Sequence, residues 1–293
     1  AMMGDGGVPE AMIGQILAIA SAAAFACANN FISRTSRSDG DKGVTFSVLV
    51  TMGISATLWL LLEASDSALP QGRGEWLAVG WFAIAGILAM VFGRTLVFES
   101  IRRLGVTRST AVKRLNPFFT VVLAACFLGE SVTPRDALGM VAIGGAFVLL
   151  VQGGLRRPGG LGDAPPPPSS YLFGVFGALA YAAAYIGRKA GLDAWPVPAL
   201  GTFLSAATGF IAFAAMAMVL PRRKAHFAGM FRHLDRWIVA SAVMVSLGQI
   251  LLFAALAFEK VSTVVMIASL EIFISIFLSV VVFRNERAPG PSV

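Results

Sequence analysis

"AVKRLNPFFTVVLAACFLGE", residues 111–130, runs apolar from Leu115 to Leu128, yet it opens on Lys113 and Arg114 and carries the helix breaker Asn116-Pro117. A bilayer core of about 30 Å takes about 20 residues of helix, and those 14 apolar residues fall short of it. The two cations therefore either snorkel to the membrane surface or line a basic mouth, and we read Lys113 and Arg114 as a cavity entrance.

The rest of the chain has the same character. Hydrophobic residues make up 57% and charged ones 13%, against about 25% charged in a soluble domain. Nine apolar runs follow one another, at 12–33, 44–63, 76–99, 106–128, 135–152, 170–191, 197–220, 237–258 and 261–283. They are bounded by charges, Gly or Pro and lack the alternation of a membrane barrel. The expected fold class is all-α integral membrane, with nine transmembrane helices evident. The first run lacks a basic leader and a small-residue cleavage pattern, so it reads as a retained helix behind a short acidic tail.

Several chemistries find no support. Cys27 and Cys126 lie inside apolar runs with no CxxC or His-rich context, so no disulfide framework is implied. His226 and His233 fall in the basic loop 221–236 without converging ligands, so neither a metal nor another cofactor is expected. No P-loop is present, so the chain does not read as an ATP-driven pump. A membrane enzyme acting on lipid headgroups would need His, Asp or Glu clustered at one face, and that cluster is missing. We expect no enzyme activity. The net charge of +7 belongs to loops facing anionic lipid, and nucleic acid is not an expected partner.

"GGLRRPGGLGDAPPPPSS", 153–170, passes from Gly-rich flexibility to a stiff polyproline spacer and divides the chain. At an offset of 155 the two sides agree: Gly93 with Gly248, Phe98 with Phe253, Val106 with Val261, Leu115 with Leu270, Phe118 with Phe273, Leu123 with Leu278. The first helices agree at an offset of 160, Gly14 meeting Gly174 and Ala18 meeting Ala178. We therefore expect a first repeat of five helices over 1–155, a linker loop over 156–169 and a second repeat over 170–293. An odd number of helices per repeat starts the second half from the opposite face, giving two inverted repeats that meet at a midplane site.

With these residues in view, the chain resembles the drug/metabolite transporter superfamily, specifically the EamA-type ten-helix exporters, over nearly its whole length. The family helix "LEPVFxxxLAxxxLGE", followed by a Pro-led helix, has its counterpart in "LNPFFTVVLAACFLGESVTPRDALGMVAIGGAFVLL" and again in "LEIFISIFLSVVVFRNE". Two departures stand out. Asn116 occupies the usual Glu position in the first copy, and the chain stops at "RNERAPGPSV" where the family continues into a tenth helix. The second repeat is thus expected to hold four helices, with its open side covered by a partner or an oligomer contact, or else the chain is a fragment. The resemblance implies a secondary transporter in the inner membrane that exports or exchanges small metabolites, amino acids or related amphiphilic compounds, by alternating access. The alternative is a non-transporting membrane subunit stabilised by a partner.

Orientation follows from the loops. One set carries fifteen Lys and Arg, the opposite set five: Arg73, Arg135, Arg188, Lys189 and Lys260. The bias puts loops 102–108 and 221–236 in the cytoplasm and the N-terminus outside, whereas family members commonly have the N-terminus inside.

Ionisable groups within spans are costly unless they face a cavity or a partner, which shortens the search for a substrate site. Glu271 in the ninth run and Asn116 at the equivalent position of the fourth form the primary pair. A carboxylate there binds a cationic substrate group or takes up a proton, unless it only bonds a neighbouring helix. Arg94 and Gln249, related by the same offset, each follow a Gly that permits close helix approach. Arg94 suits a substrate carboxylate, or an ion pair with Glu99 or Glu271. Tyr181 and Tyr185 share one helix face and suit a cavity wall, core packing or an interfacial belt. Asn30, beside Asn29, and Lys189, beside Arg188, place polarity at equivalent ends of the first and sixth runs, where the two cations also have the option of snorkelling. Glu130, in the surface turn "GESVTP", reads as structural, with Thr133 as the next helix's N-cap.

Overall fold

The computed structural model describes residues 10–32, 40–64, 70–104, 109, 112–134, 137–142, 144–145, 148, 167–219, 231 and 234–282. Most of the linker, His226, His233, half of the fifth run and the C-terminal "RNERAPGPSV" lie outside them. The described residues are helical throughout, with turns between helices and no strand among them. In chain order the helices are α1 (Glu10–Ile32), α2 (Gly40–Leu58), α3 (Arg73–Ile87), α4 (Arg94–Leu104), α5 (Asn116–Phe127), α6 (Ser169–Ala194), α7 (Pro198–Val219), α8 (Arg236–Phe258), α9 (Val261–Ala268) and α10 (Glu271–Phe277).

Among the described residues six stretches are long and apolar enough to cross a bilayer: Glu10–Phe31, Thr45–Glu63, Arg73–Ile101, Ser169–Ala194, Pro198–Val219 and Arg236–Phe258. The fourth and ninth runs contribute only the shorter apolar segments Asn116–Phe127 and Val261–Ser275. Composition makes each of these two runs look continuous; both are interrupted, for reasons given below.

Wider π-helical turns occupy Trp59–Glu63, Leu88–Gly93 and Leu278–Val282. A π turn inserts one residue without ending the helix. The last of them has a reading in the sequence. Leu115 to Glu130 spans 16 residues and Leu270 to Glu286 spans 17, so the extra residue of the second motif falls where the helix widens.

Packing interleaves the two sides of the linker. Helix α1 lies along α8, and α3 lies along α6; α2 packs on α8, and α3 on α7; α5 packs on α6, and α1 on α9 and α10. A lipid-embedded bundle gains little from hydrophobicity between its helices, so close van der Waals fit and hydrogen bonds to backbone hold it together. The crossings show both. The Ser21 hydroxyl donates to the Gly248 carbonyl at 2.7 Å, Ser241 to Ala28 at 3.0 Å and Ser205 to Phe82 at 2.8 Å. The buried core on one side of these crossings gathers Phe82, Phe253, Leu252, Leu256, Val261 and Val264. Outside it, Leu61, Leu62, Trp76, Phe176, Ile211 and Met218 stay exposed, as a lipid-facing surface requires.

Candidate functional site

The site begins at the two interruptions. The fourth run is helical at Val112–Lys113, turns at Arg114–Leu115 and resumes as α5 at Asn116. Pro117 has no N–H to donate to the Lys113 carbonyl, and it disfavours helical backbone in the residue before it. The ninth run turns at Ser269–Leu270 and resumes as α10 at Glu271. No proline is present there; the Ser269 hydroxyl donates instead to the Val265 carbonyl at 3.0 Å, the local competition with the helical ladder that Ser offers.

Different causes give the same geometry. The Leu115 N–H tightens onto the Val112 carbonyl at 3.0 Å, and the Leu270 N–H onto the Ile267 carbonyl at 2.9 Å. Both helices then resume through the leucine carbonyl, which accepts from Phe119 in one and Ile274 in the other, each at 3.0 Å. The residues involved are pairwise 155 apart, and Asn116 and Glu271 head the resumed segments.

Around these breaks the structure collects charge and aromatic rings. The Asn29 amide of α1 donates to Glu271 Oε1 at 2.6 Å. Arg114 interacts electrostatically with Glu271. Tyr185 of α6 feels the charges of Glu271 and Arg188 and sits beside Tyr181, whose ring underlies the Lys113 ammonium at 5.2 Å. The close approach of Tyr181 needs Gly93, since a Cβ there would meet its ring at 3.0 Å. Glu271, Arg114, Lys113, Tyr181 and Tyr185 are thus brought together from three stretches of chain, with Asn29 joining them from a fourth.

The other expected residues stand differently. Asn116 accepts from the Thr120 hydroxyl at 3.1 Å within its own helix. Asn30 is buried and ties α1 to α10, its amide donating to the Ala26 carbonyl at 2.9 Å and to the Ser275 carbonyl at 3.1 Å. Lys189 donates to the Leu256 carbonyl at 2.9 Å, in the last turn of α8, where the helix dipole favours a cation. It also pairs with Asp193 at 3.0 Å. Arg94 lies with its guanidinium over Phe213 at 5.9 Å and one Nη near the Met90 sulfur, while Glu99 pairs with Arg103 at 2.6 Å. Gln249 is half-buried on α8 with no side-chain hydrogen bond among the described residues.

Two carboxylates join the halves at the face opposite the basic loops. The π turn at the end of α2 presents Glu63, whose oxygens accept the N–H groups of Ala199 and Leu200 at 2.8 and 3.1 Å, capping α7. Beyond α5, Gly129 adopts φ of 66°, the left-handed backbone glycine permits, and this turn sends Glu130 across to α9. Glu130 accepts from the N–H groups of Val261 and Ser262, at 2.8 and 3.2 Å, and from the Ser262 hydroxyl at 2.7 Å. The Gly-Glu of "LGE" is therefore a turn and a cap. Glu130→Ala leaves three donors without a partner, and we expect it to lower stability in detergent by about 2 kcal/mol; thermal unfolding against Glu130→Gln, which keeps an acceptor, measures this.

In the sequence Asn29 carries no assigned role, Arg188 has the option of snorkelling, and Glu63 is the last residue of the second run. Each does its work through a partner more than 60 positions away in sequence, so only the fold exposes it.

No curated protein matches the chain. A solved crystal structure of another protein shares its fold, with a TM-score of 0.66 at 19% identity, over 97% of this chain and 90% of the other. Residues 12–152, the stretch that includes the first broken helix and the Gly129-Glu130 turn, match the EamA-like transporter family. Through that match its first half is similar to the EamA-like transporters, and its long apolar helices make the chain a multi-pass membrane protein.

Proposed function

We propose that the chain is a secondary carrier of the inner membrane that exchanges or exports small metabolites, amino acids or related amphiphilic compounds, by rocking its two halves about the polar group at the broken helices. The carrying observation is the pairing of interruptions at Arg114–Leu115 and Ser269–Leu270, which brings Glu271, Arg114 and two tyrosines together where apolar side chains would otherwise be expected. Broken helices are tolerated at membrane depth only where they are buried in protein or line a cavity, and carriers use them to hold substrate.

Duplication of the halves is supported by the matched break geometry and by packing that recurs with the halves exchanged, α1 on α8 answering α6 on α3. Alternating access is supported by the caps. Glu63 and Glu130 hold the two halves at one face, so this form is latched there, and opening that face requires both caps to release. The Lys and Arg bias places the opposite face in the cytoplasm. Glu271 is the proton carrier in this reading.

The test is counterflow in proteoliposomes loaded with unlabelled amino acids and presented with labelled ones. The expected result is saturable, competable exchange that an imposed proton gradient biases. Correctly folded protein that exchanges nothing across the panel would overturn the carrier reading.

A further inference from the structure

We propose that Arg188 is the anion-binding residue of this site and that the transported compound carries a carboxylate; the proposal rests on the carrier reading above. Arg188 lies on α6 one turn beyond Tyr185 and is 6% exposed. Its guanidinium carbon stands 5.3 Å from the Tyr185 ring and 5.1 Å from the Phe253 ring. Its Nε is buried with no hydrogen-bond partner, and no carboxylate lies within ion-pair distance of it among the described residues. Its neighbour Lys189, by contrast, has both a carbonyl and Asp193.

A guanidinium that has given up water needs acceptors in its plane as well as rings against it, because burial of an unpaired cation is among the most unfavourable placements a protein makes. Glu271 does not provide them. It is engaged by Asn29 and faces Arg114, and the groups that act on Arg188 electrostatically are Tyr185 and Tyr181. Among the described residues around the two tyrosines, Lys113, Arg114 and Arg188 set three cations against the one carboxylate of Glu271. The imbalance calls for an anion. Arg presents parallel N–H donors that match a carboxylate in two-point fashion, and the Nε of Arg188 is the donor on that edge that the fold leaves without an acceptor. A substrate carboxylate is then held one turn of α6 away from Tyr185, and the remainder of the molecule extends towards Glu271.

The experiment compares wild type, Arg188→Met and Arg188→Lys, using labelled leucine and phenylalanine as probes and their unlabelled acids and amides as competitors. In proteoliposomes the wild type should be inhibited about tenfold better by each acid than by its amide, or more strongly still. The ratio should collapse to near one in Arg188→Met and return in part in Arg188→Lys. In detergent, the acids and not the amides should raise the Tm of wild type, and neither should raise that of Arg188→Met. Without any probe, the Tm of Arg188→Met should be equal to or above that of wild type, since the substitution removes an uncompensated charge and a structural role would lower it. A wild type that favours amides, or an acid-to-amide ratio unchanged in Arg188→Met, overturns the proposal. Absence of wild-type exchange with any compound overturns the carrier reading instead, and the Tm shifts then still decide whether Arg188 binds a carboxylate.

Discussion

Gly86→Val is expected to prevent the chain from reaching its fold, with a loss of more than about 4 kcal/mol. Gly86 sits on α3 where it crosses α7. A Cβ there would run into the Ser205 carbonyl oxygen and the Thr208 hydroxyl, and would stand 3.0 Å from the Ser205 carbonyl carbon. The obstacle is backbone, so no rotamer change relieves it, and the helices must part. Parting them breaks the bond from the Ser205 hydroxyl to the Phe82 carbonyl and lifts Phe82 from Phe253, whose ring centroids lie 6.1 Å apart. In a bundle held by close fit, that removes one of the two main contacts of α3 with the second half, the other being with α6. Even Gly86→Ala should fail to give monodisperse protein. The control is Gly53→Ala on α2, where a Cβ meets nothing within 4 Å; its Tm should hold or rise, since Ala favours helix over Gly by about 1 kcal/mol. A folded, thermally normal Gly86→Val would show that this crossing does not hold the halves.

How much of this was legible beforehand depended on whether the information was local. Span lengths are local, and the six full crossings follow from apolar runs of sufficient length. The break in the fourth run is local too, because Asn116-Pro117 advertises it. The break in the ninth run is announced only by its relation to the fourth at an offset of 155, since Ser269 alone is an ordinary helical residue. In the sequence Arg188, near the end of its run, has the option of snorkelling; in the fold Phe253, contributed by another helix, lies against it. Lys189, next to it, follows the same sequence logic and yet is bound to a helix C-terminus. Periodicity separates faces of a helix, but it does not say which face meets a ring and which meets a carbonyl.

The same distinction governs the acids. Glu63, Glu130 and Glu271 all end or interrupt apolar runs, and that position alone does not say what each one holds. Their partners do. Glu63 and Glu130 are filled by backbone N–H groups of α7 and α9, so each is a cap whose loss is felt as stability. Glu271 has one amide donor and an arginine nearby, which leaves acceptor capacity for a substrate or a proton.

Glu271→Gln is accordingly expected to reduce exchange by about 30-fold or more and to abolish the response to an imposed proton gradient. The replacement keeps the side chain's length and an oxygen to accept from Asn29, so the geometry of α10 should persist. What it removes is the charge, and with it the counter-charge of Arg114 and the only proton-accepting carboxylate of the group. Loss of transport alone does not separate a working carboxylate from one that merely neutralises Arg114, so the double variant Glu271→Gln with Arg114→Gln is needed. Removing both partners of a charge pair takes away the penalty of the orphan, and the Tm should recover towards wild type. If Glu271 does the work of the carrier, exchange stays low in the double variant while stability returns. Recovery of exchange together with stability would mean that the carboxylate serves only to hold Arg114, and the transported proton and the cationic part of the substrate would have to be sought elsewhere.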